Sequence, residues 1–235
     1  MRTHNEFDDW VHSAIEHIRK YGAKVNKSPG CAQSTPIFDR QAEIMFLGVS
    51  PAENGNWEGV NLDGENARYY KGNNPEGWSL NQRVPAYKRW NWIFNPKNEK
   101  NAFRKAEWSE VVEQGNYLFY NIYMFGSMNK PLARKYGIHD EELNLICDLI
   151  FKVFKPKRVI CLSIKQVYET IRSRRPFENE RELNVYREDG RKIGFSVMRG
   201  ERDGIVFYGI NSIFWTQMCK DDFDAAIKAI KDDKI

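Results

Sequence analysis

Glu43-Ile44-Met45-Phe46-Leu47-Gly48-Val49-Ser50-Pro51-Ala52-Glu53-Asn54-Gly55-Asn56 is an apolar run that meets a proline and turns polar. From Glu43 to Val49 it is too short for a helix and rich in branched and aromatic residues, the pattern of a buried strand. Pro51 fixes its own φ and pushes Ser50 into an extended or turn conformation, so the strand stops there. Gly48, having no Cβ, lets the backbone approach whatever occupies the strand's end. In open α/β sheets ligands gather just beyond the carboxyl ends of strands, which makes this stretch a candidate wall of a site.

Upstream, Phe7, Val11, Ile15 and Ile18 recur at helical spacing and predict an amphipathic helix over 5–21. Downstream, residues 50–86 are rich in Asn and Gly yet carry Trp57, Tyr69, Tyr70 and Trp78. A loop of that length is either packed on its own aromatic side chains or is a binding lid. Short helices are expected at 87–95 and 102–113, and a strand at 116–124. A helix capped by Asp140 should run to Phe154 and end at Pro156. A strand over 158–163, a helix over 164–173, a hairpin turning at Asp189-Gly190, a strand over 205–210 and a helix over 220–232 follow. No linker divides the chain, so residues 1–235 are expected to form one domain. Strands alternating with helices predict an α/β fold, a parallel-centred sheet with helices on both faces.

Composition supports a globular chain: 41% hydrophobic and 14% aromatic over 235 residues. A formal net charge of +4 permits a polyanionic partner without demanding one. Cys31, Cys147, Cys161 and Cys219 form no close pair, so they read as reduced thiols, and neither a metal nor a cofactor is expected. Residues 1–10 are polar, with no apolar signal core, and no run approaches the ~20 apolar residues of a membrane span. No membrane partner is expected, and the cytoplasm is the expected compartment. The sequence lacks G-x-S-x-G, G-x-G-x-x-G and G-x-x-x-x-G-K-[ST], which removes the common hydrolase and phosphate-binding machines. His4, His12, His17 and His139 show no ligand spacing and read as surface residues.

What remains is polar chemistry at strand ends: Ser50, Glu53 and Asn54 after the first strand, Asn121 within the second, and Asn211-Ser212 after the last. An asparagine side chain offers one acceptor and two donors in a plane, matching the edge of a base or amide. It serves equally well to bond the backbone of a neighbouring loop. Both readings of Asn121 stay open.

Four ordered segments, Gly48-Val49-Ser50-Pro51, Leu118-Phe119-Tyr120-Asn121, Lys155-Pro156-Lys157-Arg158-Val159-Ile160 and Gly209-Ile210-Asn211-Ser212, together resemble the motifs of the uracil-DNA glycosylase superfamily. That resemblance implies a three-layer sandwich around a mainly parallel four-stranded sheet, with a flipped base held at the strand ends. It implies hydrolysis of the N-glycosidic bond of a damaged or deaminated base, with Ser50 and Glu53 placing water and Asn211 supporting the departing base. Gly48, Pro51, Asn54, Trp57, Asn121 and Ser212 would line the base site, with Asn121 reading the base edge. DNA, a nucleobase or a nucleotide is the implied partner. Lys152, Lys155, Lys157, Arg158, Arg172, Arg174 and Arg175 are candidate phosphate contacts. The chain departs from the family at Ser50, where an Asp or Asn is usual, and at Asn211-Ser212-Ile213, which lacks the usual proline. The alternative function is a non-catalytic module that binds a base, nucleotide or nucleic acid on the same fold.

Overall fold

Ile44–Gly48 forms the first strand of the computed structural model, and all five of its residues are buried. The structure describes residues 4–27, 37, 39–50, 100–127, 130–211 and 219–233. The helix expected at 87–95, and the loop expected over 50–86 apart from Ser50, lie outside them. In chain order the elements begin α1 (His4–Val25), β1 (Ile44–Gly48), α2 (Ala102–Lys105), α3 (Glu110–Glu113), β2 (Tyr117–Asn121), β3 (Gly126–Ser127) and β4 (Lys130–Pro131). They continue α4 (Ala133–Tyr136), α5 (His139–Leu143), a π-helical stretch Asn144–Ile150 and α6 (Phe151–Phe154). The rest are β5 (Arg158–Cys161), a π-helical turn Ile164–Tyr168, α7 (Glu169–Arg174), β6 (Glu178–Leu183), β7 (Val197–Arg202), β8 (Ile205–Gly209) and α8 (Lys220–Asp232). Strands alternating with helices make this an α/β fold. The residues group into two compact units, Met1–Pro75 with Leu118–Pro156, and Glu76–Tyr117 with Lys157–Ile235.

In the first unit, α1 buries Phe7, Trp10, Val11, Ala14 and Ile18. Trp10 donates its indole N–H to the Leu145 carbonyl at 2.8 Å and sets its ring edge-on to Tyr120 at 5.8 Å. The helix runs past the predicted end at Tyr21 because Val25 is buried as well and extends the apolar stripe by another turn. β1 lies beside β2, with Phe46 and Phe119 stacked at 6.4 Å. The helix expected to start with an Asp140 cap starts at His139 instead, with Ile138 at the cap position and no side-chain cap bond. Asp140 sits in the first turn, where with Glu141 it complements the partial positive charge of a helix start. Its far end behaves as expected: Lys155 is left-handed at φ 41° and Pro156 prevents continuation.

The second unit holds β5, β8, β7 and β6 side by side in that order. The parallel pairing expected from strand–helix alternation is present between β5 and β8, from Arg158 opposite Val206 to Cys161 opposite Gly209. β7 runs antiparallel to both β8 and β6. The Asp189-Gly190 turn forms, with Gly190 at φ 81° and Asp189 accepting from the Arg191 amide at 3.0 Å. The paired strands lie farther from that turn than the sequence suggested, and only the Tyr186–Lys192 bridge joins the loop between them. Arg202 is buried between Phe177 and Phe207, at 5.5 and 5.2 Å from their rings. Its guanidinium donates to the carbonyls of Ile171 and Arg175 at 3.3 and 3.2 Å.

A second buried arginine, Arg199, meets Asp233 just beyond α8, and the Tyr208 hydroxyl donates to the same carboxylate at 2.7 Å. Burial alone would raise the Asp233 carboxyl, but hydrogen bonds from Tyr208 and Arg199 outweigh it and hold it below the usual carboxylate range. The stability Asp233 contributes is therefore present at neutral pH and lost as pH falls through that lowered value. Asp233→Asn is expected to cost about 1–3 kcal/mol at pH 7. Urea unfolding should also show a shallower decline of stability for the variant in acid than for the parent chain.

Candidate functional site

Past the end of β1 the chain keeps donating and accepting along β2. Ile122 N–H donates to the Gly48 carbonyl at 2.9 Å and Tyr123 N–H to the Val49 carbonyl at 3.1 Å. This brings the Asn121 side chain over the α-carbon of Gly48. A Cβ on Gly48 would lie 2.4 Å from Asn121 Oδ1, well inside van der Waals contact. The glycine is thus required by the asparagine, and both are buried. Ser50 is buried two residues on, and its Oγ has no hydrogen-bond partner among the described residues. Gly48, Ser50 and Asn121 accordingly cluster at one strand end of the first unit. Asn211 belongs to the second unit, half-buried just after β8, where Ile210 N–H donates to the Cys161 carbonyl at 3.0 Å. Pro51, Glu53, Asn54, Trp57 and Ser212 lie outside the described residues.

The segment that follows Asn121 meets titratable groups from α5, and one of these meets an imidazole of α1. Glu142 of α5 is fully buried, and its Oε2 accepts the Met124 N–H at 3.1 Å. Its Oε1 lies 3.5 Å from His17 Nε2, and His17 Nδ1 lies 3.5 Å from Glu141 Oε2. His17 was expected on the surface, but it is buried on the apolar face of α1, against Tyr21 and Phe125 at ring distances of 4.9 and 6.1 Å. Tyr21 donates its hydroxyl to Glu141 at 2.7 Å, and this bond is the main reason the Glu141 carboxyl is held low. The Tyr123 hydroxyl contacts His139 Nδ1 at 3.0 Å. Burial pushes the Glu142 carboxyl above its usual value; His17 and the Met124 and Phe125 amides pull the other way without overcoming it.

Three of the basic residues that the sequence offered as phosphate contacts are engaged within the fold. Arg172 pairs with Glu180 at 3.3 Å, Arg175 with Asp203, and Arg158 is buried with its guanidinium 5.0 Å from the Trp108 ring centroid. These three phosphate candidates therefore have partners within the fold. Ser163, a strand-end hydroxyl, is a helix cap and accepts the Gln166 N–H at 3.2 Å. In the second unit a cavity of about 400 Å³ is bordered by Lys105, Tyr186, Arg187, Asp221, Asp224 and Lys228. Lys105 pairs with Asp224 at 2.8 Å and Arg187 with Asp222 at 2.5 Å, so much of that lining is already neutralised. Neither Gly48, Ser50, Asn121 nor Asn211 lines it. Among the described residues no group of three His, Cys, Asp or Glu side chains could hold a metal ion, and no helix is long and apolar enough to cross a membrane.

The chain matches no protein-family model, no curated protein and no solved structure.

Two measurements test this geometry. Gly48→Ala should cost about 1–3 kcal/mol through overpacking against Asn121. The penalty should shrink in an Asn121→Ala background, giving a coupling in the double-mutant cycle that independent sites would not show. Because the Glu142 carboxyl is raised in the folded state, its neutral form is favoured there. The stability tied to it is fullest in acid and declines as pH rises through the raised value. Glu142→Gln cannot ionise, so urea midpoints measured from about pH 4 to 8 should fall less with pH than those of the parent chain.

Proposed function

We propose that the carboxyl ends of β1 and β2 form a nucleobase-reading site, and that the protein hydrolyses the N-glycosidic bond of a damaged or deaminated base in DNA. The observation that supports this most is the buried Asn121 amide laid over the bare α-carbon of Gly48. An amide held at a strand end offers a donor and an acceptor to the edge of a base. The order of the four motif segments adds the resemblance to the uracil-DNA glycosylases. In that reading β1, β2, β5 and β8 correspond in chain order to the four strands of that family's parallel sheet, within its three-layer sandwich and a single domain.

The target base would be flipped from the duplex, since its glycosidic carbon cannot be reached inside the stack, at a cost of a few kcal/mol. Asn121 would read the edge of the flipped base, and Gly48, Pro51 and Asn54 would shape the walls. Trp57 would supply a stacking face, and Ser212 a further polar contact. Ser50 and Glu53 would place a water, whose oxygen bonds to the sugar carbon as the carbon–nitrogen bond breaks. The bonding electrons leave with the base, and Asn211 would support that charge until a proton arrives. The reaction needs no cofactor, and a cytoplasmic DNA-repair role fits the reading.

A second reading is a base- or nucleotide-binding module without catalysis. It is favoured by the Ser50 hydroxyl, which no carboxylate or imidazole engages among the described residues, so nothing there raises its basicity.

Incubation with oligonucleotides carrying uracil or hypoxanthine should generate abasic sites, read as strand scission after alkali. Asn121→Ala should lower the rate roughly 5- to 150-fold, the loss of one two-point base contact. Ligand-dependent thermal stabilisation without product would favour the module. Neither product nor stabilisation across a panel of lesions would remove both.

A further inference from the structure

The four backbone amides that follow Asn121 have a hydrogen-bonding problem that β1 solves only in part. Ile122, Tyr123, Met124 and Phe125 are all buried, so water is a poor partner for their N–H groups. The first two donate to the carbonyls of Gly48, the last residue of β1, and of Val49 just after it. The next is taken by a side chain, Glu142 Oε2, at 3.1 Å from Met124 N. A backbone carbonyl, or a neutral amide, would satisfy that donor without burying an ionisable group. The chain uses a fully buried carboxyl instead, and faces it with an imidazole.

We propose that Glu142, backed by His17, is a positioning residue for Asn121: by holding the Met124 amide it fixes the path on which β2 leaves β1, and with it the aim of the base-reading amide. This rests on the reading of Asn121 as the residue that meets the base. The titratable and charged groups on the elements packed about the pair are Lys20 and Tyr21 of α1 and Glu141 of α5, with Tyr123 and His139 bonded to each other nearby in the chain. Glu141 is anchored by Tyr21 and Lys20, so it buffers the outer side of His17 while Glu142 occupies the inner side. Gly48 limits where the Asn121 amide can go laterally, and Glu142 limits how the backbone carrying it can shift.

The test uses the full chain with two probes, free uracil and a single-stranded oligonucleotide carrying one uracil, titrated across pH. The parent chain should bind with an affinity that changes as Glu142 titrates. Glu142→Gln keeps an acceptor for Met124 and should bind comparably near its optimum, with that pH dependence flattened. Glu142→Ala should bind about ten-fold more weakly, the loss of about one buried hydrogen bond. Exchange of the Met124 amide with solvent should be faster in Glu142→Ala and protected in Glu142→Gln, whatever the ligand. A parent chain that binds neither probe would overturn the reading of the site, and this inference with it. A parent chain that binds, with both variants sharing its affinity and pH profile, would overturn the positioning role alone. Should Glu142→Ala fail to fold, the pH profile of Glu142→Gln decides: unchanged from the parent, it defeats the proposal.

Discussion

Two backbone hydrogen bonds, from Ile122 to Gly48 and from Tyr123 to Val49, carry β2 past the point where β1 stops being a strand. Much of the first unit serves that overrun. It brings Asn121 onto Gly48, which must be glycine to receive it, and drives the next amides into a region where water is excluded. Buried donors left unpaired would cost about 1–3 kcal/mol each, so an acceptor has to come from somewhere. It comes from α5 as the Glu142 carboxyl, and that choice in turn brings His17 to the buried face of α1. One ladder extension thus ties strand, helix and buried charge together.

The second unit handles buried charge differently. Arg199 and Arg202 are guanidiniums whose neighbours are set by β7 and β8, and each is matched by fixed acceptors: carboxylates for Arg199, backbone carbonyls for Arg202. Asp222 repeats the device from the acidic side, accepting from Arg187 and from the Gly194 amide at 3.1 Å, which ties the loop after β6 to the start of α8. Breaking such a pair leaves the partner charge buried and uncompensated, which is why they rigidify what they join. In the first unit the corresponding group is a carboxyl whose protonation is biased upward by burial.

Helix α8 and strand β1 were legible in the sequence because each buries a regular stripe: Phe223, Ala226, Ile227 and Ile230 at helical spacing, and five consecutive residues in the strand. The segment read as one helix over 102–113 is two single turns, because Glu107 adopts a left-handed φ of 55° and Trp108 N–H returns to the Phe103 carbonyl at 2.7 Å. Nothing about a glutamate in sequence announces that conformation; the burial of Trp108 against Phe103 imposes it. Gly48 and Asn121 were visible as strand-end residues, although their mutual contact was not, since it depends on the register between two strands. Glu142 and His17 could have been found by helical spacing. Glu142 lies between Ile138 and Leu145 on a buried face, and His17 follows Trp10 and Ala14 on the stripe of α1. Polar type outweighed position in that reading, although a polar residue on an apolar stripe is the more informative observation.

Ser50 gives the strand end its chemical character. A hydroxyl can donate once and accept twice, and here it is buried with none of these roles filled among the described residues. Ordinary packing would favour an alanine at such a place, because a small apolar side chain avoids the desolvation cost. A serine is instead suited to a position where a polar group arrives from outside the fold and takes up the hydroxyl's capacity. Asn121, laid against the bare α-carbon of Gly48, brings a planar amide to the same strand end. In the proposed reading, the hydroxyl and the amide would meet the donors and acceptors along the edge of one flipped base.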